Sequence, residues 1–362
     1  MTRRGATNLP GIQILRGLAA CSVLVHHVLE ESQPLFGGRI PAPLVLLGAG
    51  GVDLFFVISG FIMYYTNQGG FGKAGASADF FIRGVIRIVP LYWLCTFVVV
   101  AANAAGLYAS KYISASALAL SLFFLPNANI ILGVGWTLNY EMYFYSVFAI
   151  WLFFGTSRSG IFGVLSSIPL IMVVSWSLPS SVARSFLGNP IALEFCFGFA
   201  LGVAFTRGWI SPRICRAPLL VGVAGFVLGT SFGPRDGTAG LAPEARFLFW
   251  GLPAALLLMS AFSVSEVKGR VGKAVLALGD ASYSIYLTHA FVMTTYARII
   301  KTYPVSNVPR PIWMLLPIIV SILVGFATYR LFEQPMSDRL KLWWKSGSVR
   351  RSAINSGTAI LP

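Results

Sequence analysis

Runs of roughly 20 mostly apolar residues recur along this chain, the length needed to cross the hydrocarbon core of a bilayer. They lie near 10–30, 46–66, 84–105, 137–155, 160–177, 187–206, 217–233, 243–264, 281–299 and 312–333. Composition agrees: 56% of the 362 residues are hydrophobic and only 11% are charged. A soluble domain carries about 25% charged residues and would expose too much apolar surface with this make-up. The expected fold is an all-α integral membrane protein of ten transmembrane helices. One further run, SASALALSLFFLP at 114–126, is short and reads as an eleventh span or an interfacial segment.

Charge sets the expected orientation. With ten spans and an inner N-terminus, 19 of the 27 basic residues fall on inner segments. Making 114–126 a span would reverse every later loop and put the basic tail outside. The positive-inside rule therefore favours ten spans with both termini cytoplasmic. The same rule accounts for the net charge of +15, so no nucleic-acid partner is expected. Cys21, Cys95, Cys196 and Cys215 are scattered without a CxxC, so neither a disulfide framework nor a metal site is expected. The basic start continues into an apolar run with no convincing cleavage site, which reads as a retained helix. Residues 1–335 form the expected membrane domain. Residues 336–362 form a basic cytoplasmic tail, with LKLWWK at the membrane surface and SGSVRRSAINSGTAILP disordered.

Ionisable residues inside spans are costly and functional by default. Here they are Arg16, His26, His27, Asp53, Glu141, Glu194 and His289, with Glu333 at the inner end of the last span. Arg16 and His27 are eleven residues apart, so they share a helix face and stand about 16 Å apart along the axis. His26 points about 100° away and takes a packing role. Span order places His27, Asp53, Glu141 and Glu194 at similar depth toward the outer side. An imidazole among carboxylates suits general-base work, one carboxylate fixing its tautomer. The bland alternative is that these groups satisfy one another and hold the bundle together.

Other stretches are weaker alone. In FFIRGVIRIVP, Arg83 and Arg87 are four apart and share a face that would hold an anion such as a phosphate, or simply anchor the helix. GVDLFFVISGF offers small residues for close helix packing. Its Ser59 lacks the GxSxG context of a hydrolase elbow. GWTLNYEMYFY places Trp136 and Tyr143 at the outer interface, as an aromatic belt or as stacking platforms for sugar. ASYSIYLTHAF places Tyr286 and His289 on one face, lining a cavity or bonding between helices.

In order along most of the chain, LRGLAACSVLVHH, GVDLFFVISGF, RIVPLYW, GWTLNYEMYFY, LGNPIALEFCFG, FWGLPAALL, LGDASYSIYLTH and YRLFEQP resemble the membrane acyltransferase family 3. GVGWTLNYEMYFY, NPIALEF and WGLPA look most like its exopolysaccharide-production branch. The resemblance implies a bacterial inner-membrane enzyme without a resident cofactor. It would move an acyl group, acetyl first, from cytoplasmic acyl-coenzyme A to a sugar hydroxyl on a polymeric or lipid-linked acceptor. Membrane lipid and polysaccharide-assembly proteins are the other implied partners. The family's arginine–histidine pair maps onto Arg16 and His27. Its cytoplasmic arginine pair maps cleanly onto Arg87, while the other position is Gly84 here and Arg83 stands one place earlier.

On that basis Arg16, Arg83 and Arg87 are expected to meet coenzyme A phosphates, His27 to act as base, and Asp53 or Glu141 to orient it. Trp136, Tyr143, Glu194, Tyr286 and His289 are expected to line the acceptor site. The rival readings are a transporter or flippase for lipid-linked sugar, with the buried groups as a proton relay, and a structural subunit of an assembly complex.

Overall fold

The computed structural model describes residues 9–107, 112–211, 217–236, 240–303 and 309–355, with side chains as far as residue 346. Each of the ten apolar runs is helical: α1 (Pro10–Glu31), then α3 (Gly51–Asn67) after a short α2 (Ala42–Leu47), and α4 (Ala76–Ala104). After α5 (Ala115–Leu122) come α6 (Trp136–Phe154), α7 (Ser157–Trp176) and, beyond the short α8 (Val182–Leu187), α9 (Ala192–Thr206). α10 (Ala217–Phe232) leads through a two-residue hairpin, β1 (Arg235–Asp236) with β2 (Gly240–Leu241), into α11 (Pro243–Arg246) and α12 (Leu252–Ala261). α13 (Gly269–Asp280), α14 (Ser282–Thr302), α15 (Arg310–Thr328) and α16 (Gln334–Asn355) complete the described chain.

Among the described residues, seven helical segments are long and apolar enough to cross a membrane. α10 is shorter, with 16 residues. α6 and α14 have the length but carry Asn, Glu, Ser, Thr and His among their apolar residues, which lowers their hydropathy. Bulky apolar side chains such as Phe154, Phe162, Leu220 and Phe232 point outward, as lipid-facing helices require. α5 has eight residues, about 12 Å of helix, too short to span. The stretch expected to lack order is helical to Asn355. Residues 356–362 and Cys215 lie outside the described residues.

Local chemistry explains several boundaries. Pro10 opens α1 at a position where its missing N–H costs nothing. Thr156 and Ser159 cap α7 reciprocally. α4 starts eight residues before the expected boundary, at Ala76, so Arg83 and Arg87 both sit on regular helix.

Two packing features place the site. α3 and α9 touch backbone to backbone: a Cβ on Gly60 would strike the Phe195 carbonyl, and one on Gly198 would strike that of Val57. Small residues of this kind let helices approach within lipid. Beside that seam an aromatic core of Phe144, Phe148, Phe195 and Phe199 is fully buried, Phe144 stacking on Phe195 at 4.2 Å. Second, the non-helical stretch before α6 enters the bundle, with Ile131 and Leu132 buried. α6 therefore begins inside the protein rather than at its rim.

Gly198→Leu should separate α3 from α9 and cost about 1–3 kcal/mol by overpacking, read as a lower thermal midpoint in detergent. An unchanged midpoint would mean that the two helices do not meet there.

Candidate active site

Three adjoining cavities lie between α1, α3, α4, α6 and α14. The largest, about 330 Å³, is lined by Ser59, Asn67, Arg83, Arg87, Glu141 and Tyr145. A second, about 160 Å³, is lined by Gln13, Arg16, Tyr65, Thr66 and Arg87. The third and smallest, about 70 Å³, lies between Arg16, Arg87, Glu141, Thr137 and Tyr286 beside apolar Phe55. Arg87 borders all three. Sharing these lining residues, they adjoin as a chamber that starts beside the first turns of α1 and extends to Tyr286.

The chamber's polar groups come from helical spacing. Arg83 and Arg87, one turn apart on α4, both line the largest cavity. Arg83 is held by an ion pair to Asp79 and donates to Asn67 Oδ1 at 3.0 Å. Arg16 donates to Gln13 Oε1 at 3.0 Å. Among the described residues Arg87 makes no side-chain hydrogen bond and no ion pair within 4 Å, so its donors remain available to a ligand. Ser59 donates to Glu141 Oε1 at 3.1 Å. Gly84 has a steric reason: a side chain there would run into the Tyr145 ring, so the neighbouring arginine stands at 83.

Past Tyr286 the chemistry changes. The Tyr286 hydroxyl meets Thr137 Oγ1 at 2.9 Å and the Val134 carbonyl at 3.1 Å. Its ring lies 5.8 Å from that of His289. His289 is buried, bonds the Tyr286 carbonyl through Nδ1 at 2.6 Å and stacks on His27 with ring centroids 5.3 Å apart. His27 Nδ1 lies 3.1 Å from Glu30 Oε2, the two side chains 32% and 48% exposed. Arg16 and His27 thus both face α14, as their spacing requires, and His27 is turned onto the bundle rather than away from it. His27 lines none of these three cavities; Tyr286, which borders the third, lies ring to ring with His289 rather than with His27.

The carboxylates fall differently from expectation. Asp53 is fully buried and receives two hydrogen bonds of 2.9 Å from Arg246 Nε and Nη2, a bidentate pair. Glu194 is fully buried beside Asp53 and Arg246. Glu141 lines the chamber with Arg16 and Arg87. Neither Asp53 nor Glu141 pairs with His27, whose carboxylate neighbour is Glu30 on its own helix. Span order estimates depth, but it does not determine which way a side chain turns. The entry of residues before α6 into the bundle also lowers Glu141 to the level of the arginines. Trp136 lies under the Arg246 guanidinium at 5.9 Å, and Tyr143 packs against Phe186 at 6.0 Å. Of the five expected acceptor residues, only Tyr286 lines the chamber, while His289 stands behind it.

Sequence reading missed Arg246 and Glu30. Arg246 falls inside the run 243–264 and was legible there as a charge within a span. Glu30 sits three residues after His27, the spacing at which helical side chains meet.

Residues 9–330 match a family described as an acyltransferase domain. The chain is 34% identical over 305 residues to the exopolysaccharide production protein ExoZ of Rhizobium meliloti, covering 81% of this chain and 90% of that protein. It is 25% identical to the acyltransferase MdmB of Streptomyces mycarofaciens, covering 79% of each. It is 24% identical to the O-acetyltransferase OatA of Staphylococcus aureus, covering 91% of this chain and 57% of that protein. No solved structure matches the chain.

Asp53→Ala should leave Arg246 buried without its partner and cost about 3–5 kcal/mol. The double variant Asp53→Leu/Arg246→Met should recover much of that loss in detergent melting. Equal destabilisation by single and double variants would show that the ion pair does not hold α3 to the α11 segment.

Proposed function

Because the chain belongs to the acyltransferase family whose domain it carries over residues 9–330, we propose that it is a membrane O-acyltransferase acting on an exopolysaccharide or its lipid-linked precursor. Acyl-coenzyme A, acetyl first, is the donor. The observation that carries this reading is the chamber itself: three arginines border it, and Tyr286 in its lining packs against His289, which stacks on His27. Ten spans with both termini cytoplasmic, in the bacterial inner membrane, put the arginine end at the cytosol and His27 toward the outer side.

Donor binding follows from the cations. Arg87 has free donors, and Arg83 and Arg16 border the same space, so phosphates of coenzyme A find guanidinium partners suited to them. The pantetheine arm then extends along the narrowing cavity. Arg16 and His27 stand about 16 Å apart along α1, a distance comparable to that arm. Ser59 and Glu141 border its path.

Proton transfer is assigned to His27. With Nδ1–H donated to Glu30, Nε2 carries the lone pair and takes the proton of the attacking sugar hydroxyl. The oxygen attacks the thioester carbonyl, the carbon–sulfur bond breaks, and coenzyme A leaves as the thiol after receiving the proton. Glu30 stabilises the imidazolium between these steps. His289, stacked on the ring, fixes its orientation. The Tyr286 ring must swing aside for the thioester to reach His27.

His27→Ala at unchanged membrane level should cut acylation of the polysaccharide by about 10²–10⁴-fold, measured by mass spectrometry of the sugar. Near-normal acylation would remove His27 from the chemistry. Arg87→Ala should raise KM for acetyl-coenzyme A roughly tenfold or more, from the loss of a charged hydrogen bond, with a smaller effect on kcat. An unchanged donor KM would take the phosphates away from Arg87.

A further inference from the structure

The chain has three histidines, and the fold gathers all of them at one place. His26 and His27 have ring centroids 4.8 Å apart, and His27 and His289 5.3 Å apart. Glu30 joins the first two: its Oε2 lies 3.9 Å from His26 Nε2 and 3.1 Å from His27 Nδ1. One ligand atom from each of His26, His27 and Glu30 lies within 4.8 Å of the others. Acyl transfer as proposed above uses His27 and Glu30 and leaves His26 without a task.

We propose that His26, His27 and Glu30 form a site for a divalent transition metal such as Zn²⁺, and that a metal bound there blocks His27. The blocking half rests on the acyl-transfer reading; the binding half does not. Three observations support the site.

First, His26 is prepared as a ligand. Its Nδ1 donates to the Val45 carbonyl at 2.8 Å, so the ring's lone pair is on Nε2, on the side of Glu30. A backbone carbonyl holding one ring nitrogen while the other binds metal is the usual outer-shell arrangement of metal-bound histidines. Second, the spacing is nearly right. Glu30 Oε2 lies 3.9 Å from His26 Nε2 and 3.1 Å from His27 Nδ1, close to the roughly 3.4 Å between neighbouring ligands that zinc bonds of about 2.0–2.2 Å set in a tetrahedron. The ligand atoms of the two imidazoles and Glu30, within 4.8 Å of one another, converge on one ion by rotation of the His27 and Glu30 side chains, 32% and 48% exposed. Third, the environment suits a cation that exchanges with solvent. Two imidazoles and a carboxylate match the borderline preference of Zn²⁺, and the exposed side of Glu30 leaves a coordination position for water. His289 stacks behind His27 and limits how far that ring turns.

The consequence for the reaction follows from the tautomer. A metal on His27 Nδ1 places the ring's single proton on Nε2, so the nitrogen assigned to accept a proton has no lone pair left. Metal reaching this end of α1 would therefore switch transfer off reversibly.

The test uses the full chain purified in detergent micelles, stripped with a chelator and titrated with ZnCl2 against a chromophoric competitor. The expected result is one Zn²⁺ per chain, with affinity falling at least tenfold in His26→Asn. Asparagine keeps a donor for the Val45 carbonyl but offers no second ring nitrogen. Glu30→Gln, at a half-exposed position, provides a second variant with the same expected loss if His26→Asn does not fold. Wild-type protein that binds no Zn²⁺, or binds it no better than either folded variant, overturns the site. In the transfer assay, Zn²⁺ should inhibit wild-type protein and be reversed by chelator, while His26→Asn should stay active and insensitive. Stoichiometric, His26-dependent binding in protein that shows no transfer without metal would leave the metal site standing and remove the acyl-transfer reading.

Discussion

A guanidinium inside an apolar bundle must be answered by something, because leaving it unpaired in a low-dielectric interior is strongly unfavourable. Three arginines pose that problem here, and the architecture follows from how each is met. Arg246 is met within the protein, by two hydrogen bonds from its guanidinium to Asp53 and by Trp250 beneath it at 4.9 Å. That pair ties α3 to the segment leading into α12. Arg16 and Arg87 are met differently: among the described residues Gln13 is the one hydrogen-bond partner between them, with Glu141 and Glu333 as the nearby opposite charges. The bundle leaves space around them instead, and that space is the chamber.

The chamber and the histidine cluster meet at one ring: Tyr286 lines the first and lies 5.8 Å from His289 of the second. α14 supplies one wall of both through Ser282, Tyr283, Tyr286 and His289, of which Tyr283, Tyr286 and His289 follow at the helical spacing of three. α1 runs opposite, with Arg16 beside the first part of this series and His27 beside its end. Tyr286 is fixed at its hydroxyl by the segment entering α6. The same segment that brings Glu141 to the arginines therefore anchors Tyr286.

Much of this was legible in the residue order. The helical repeat put Arg16 and His27 on one face and Arg83 with Arg87 on another, and both pairings survive in three dimensions. The short run at 114–126 is a helix too short to cross. What misled was the inference from depth to contact. Span order groups Asp53, Glu141 and Glu194 with His27 because their spans begin on the same side. Asp53 and Glu194 instead lie with Arg246, a charge within an apolar run, and Glu141 lies with the arginines because α6 starts inside the bundle.

Taken alone, the amino-acid order determined that this chain is a multi-pass helical membrane protein and which side chains share a helix face. Both follow from local rules: the length of apolar runs and 3.6 residues per turn. Only the tertiary structure decided that His27 answers to Glu30 and His289, that Arg87 borders every part of the chamber, and that Tyr286 lines it beside His289. Those are choices of azimuth and neighbour between helices distant in sequence. They are set by close glycine contacts, a re-entrant segment and the need to pair each buried charge, none of which a period along one helix can express.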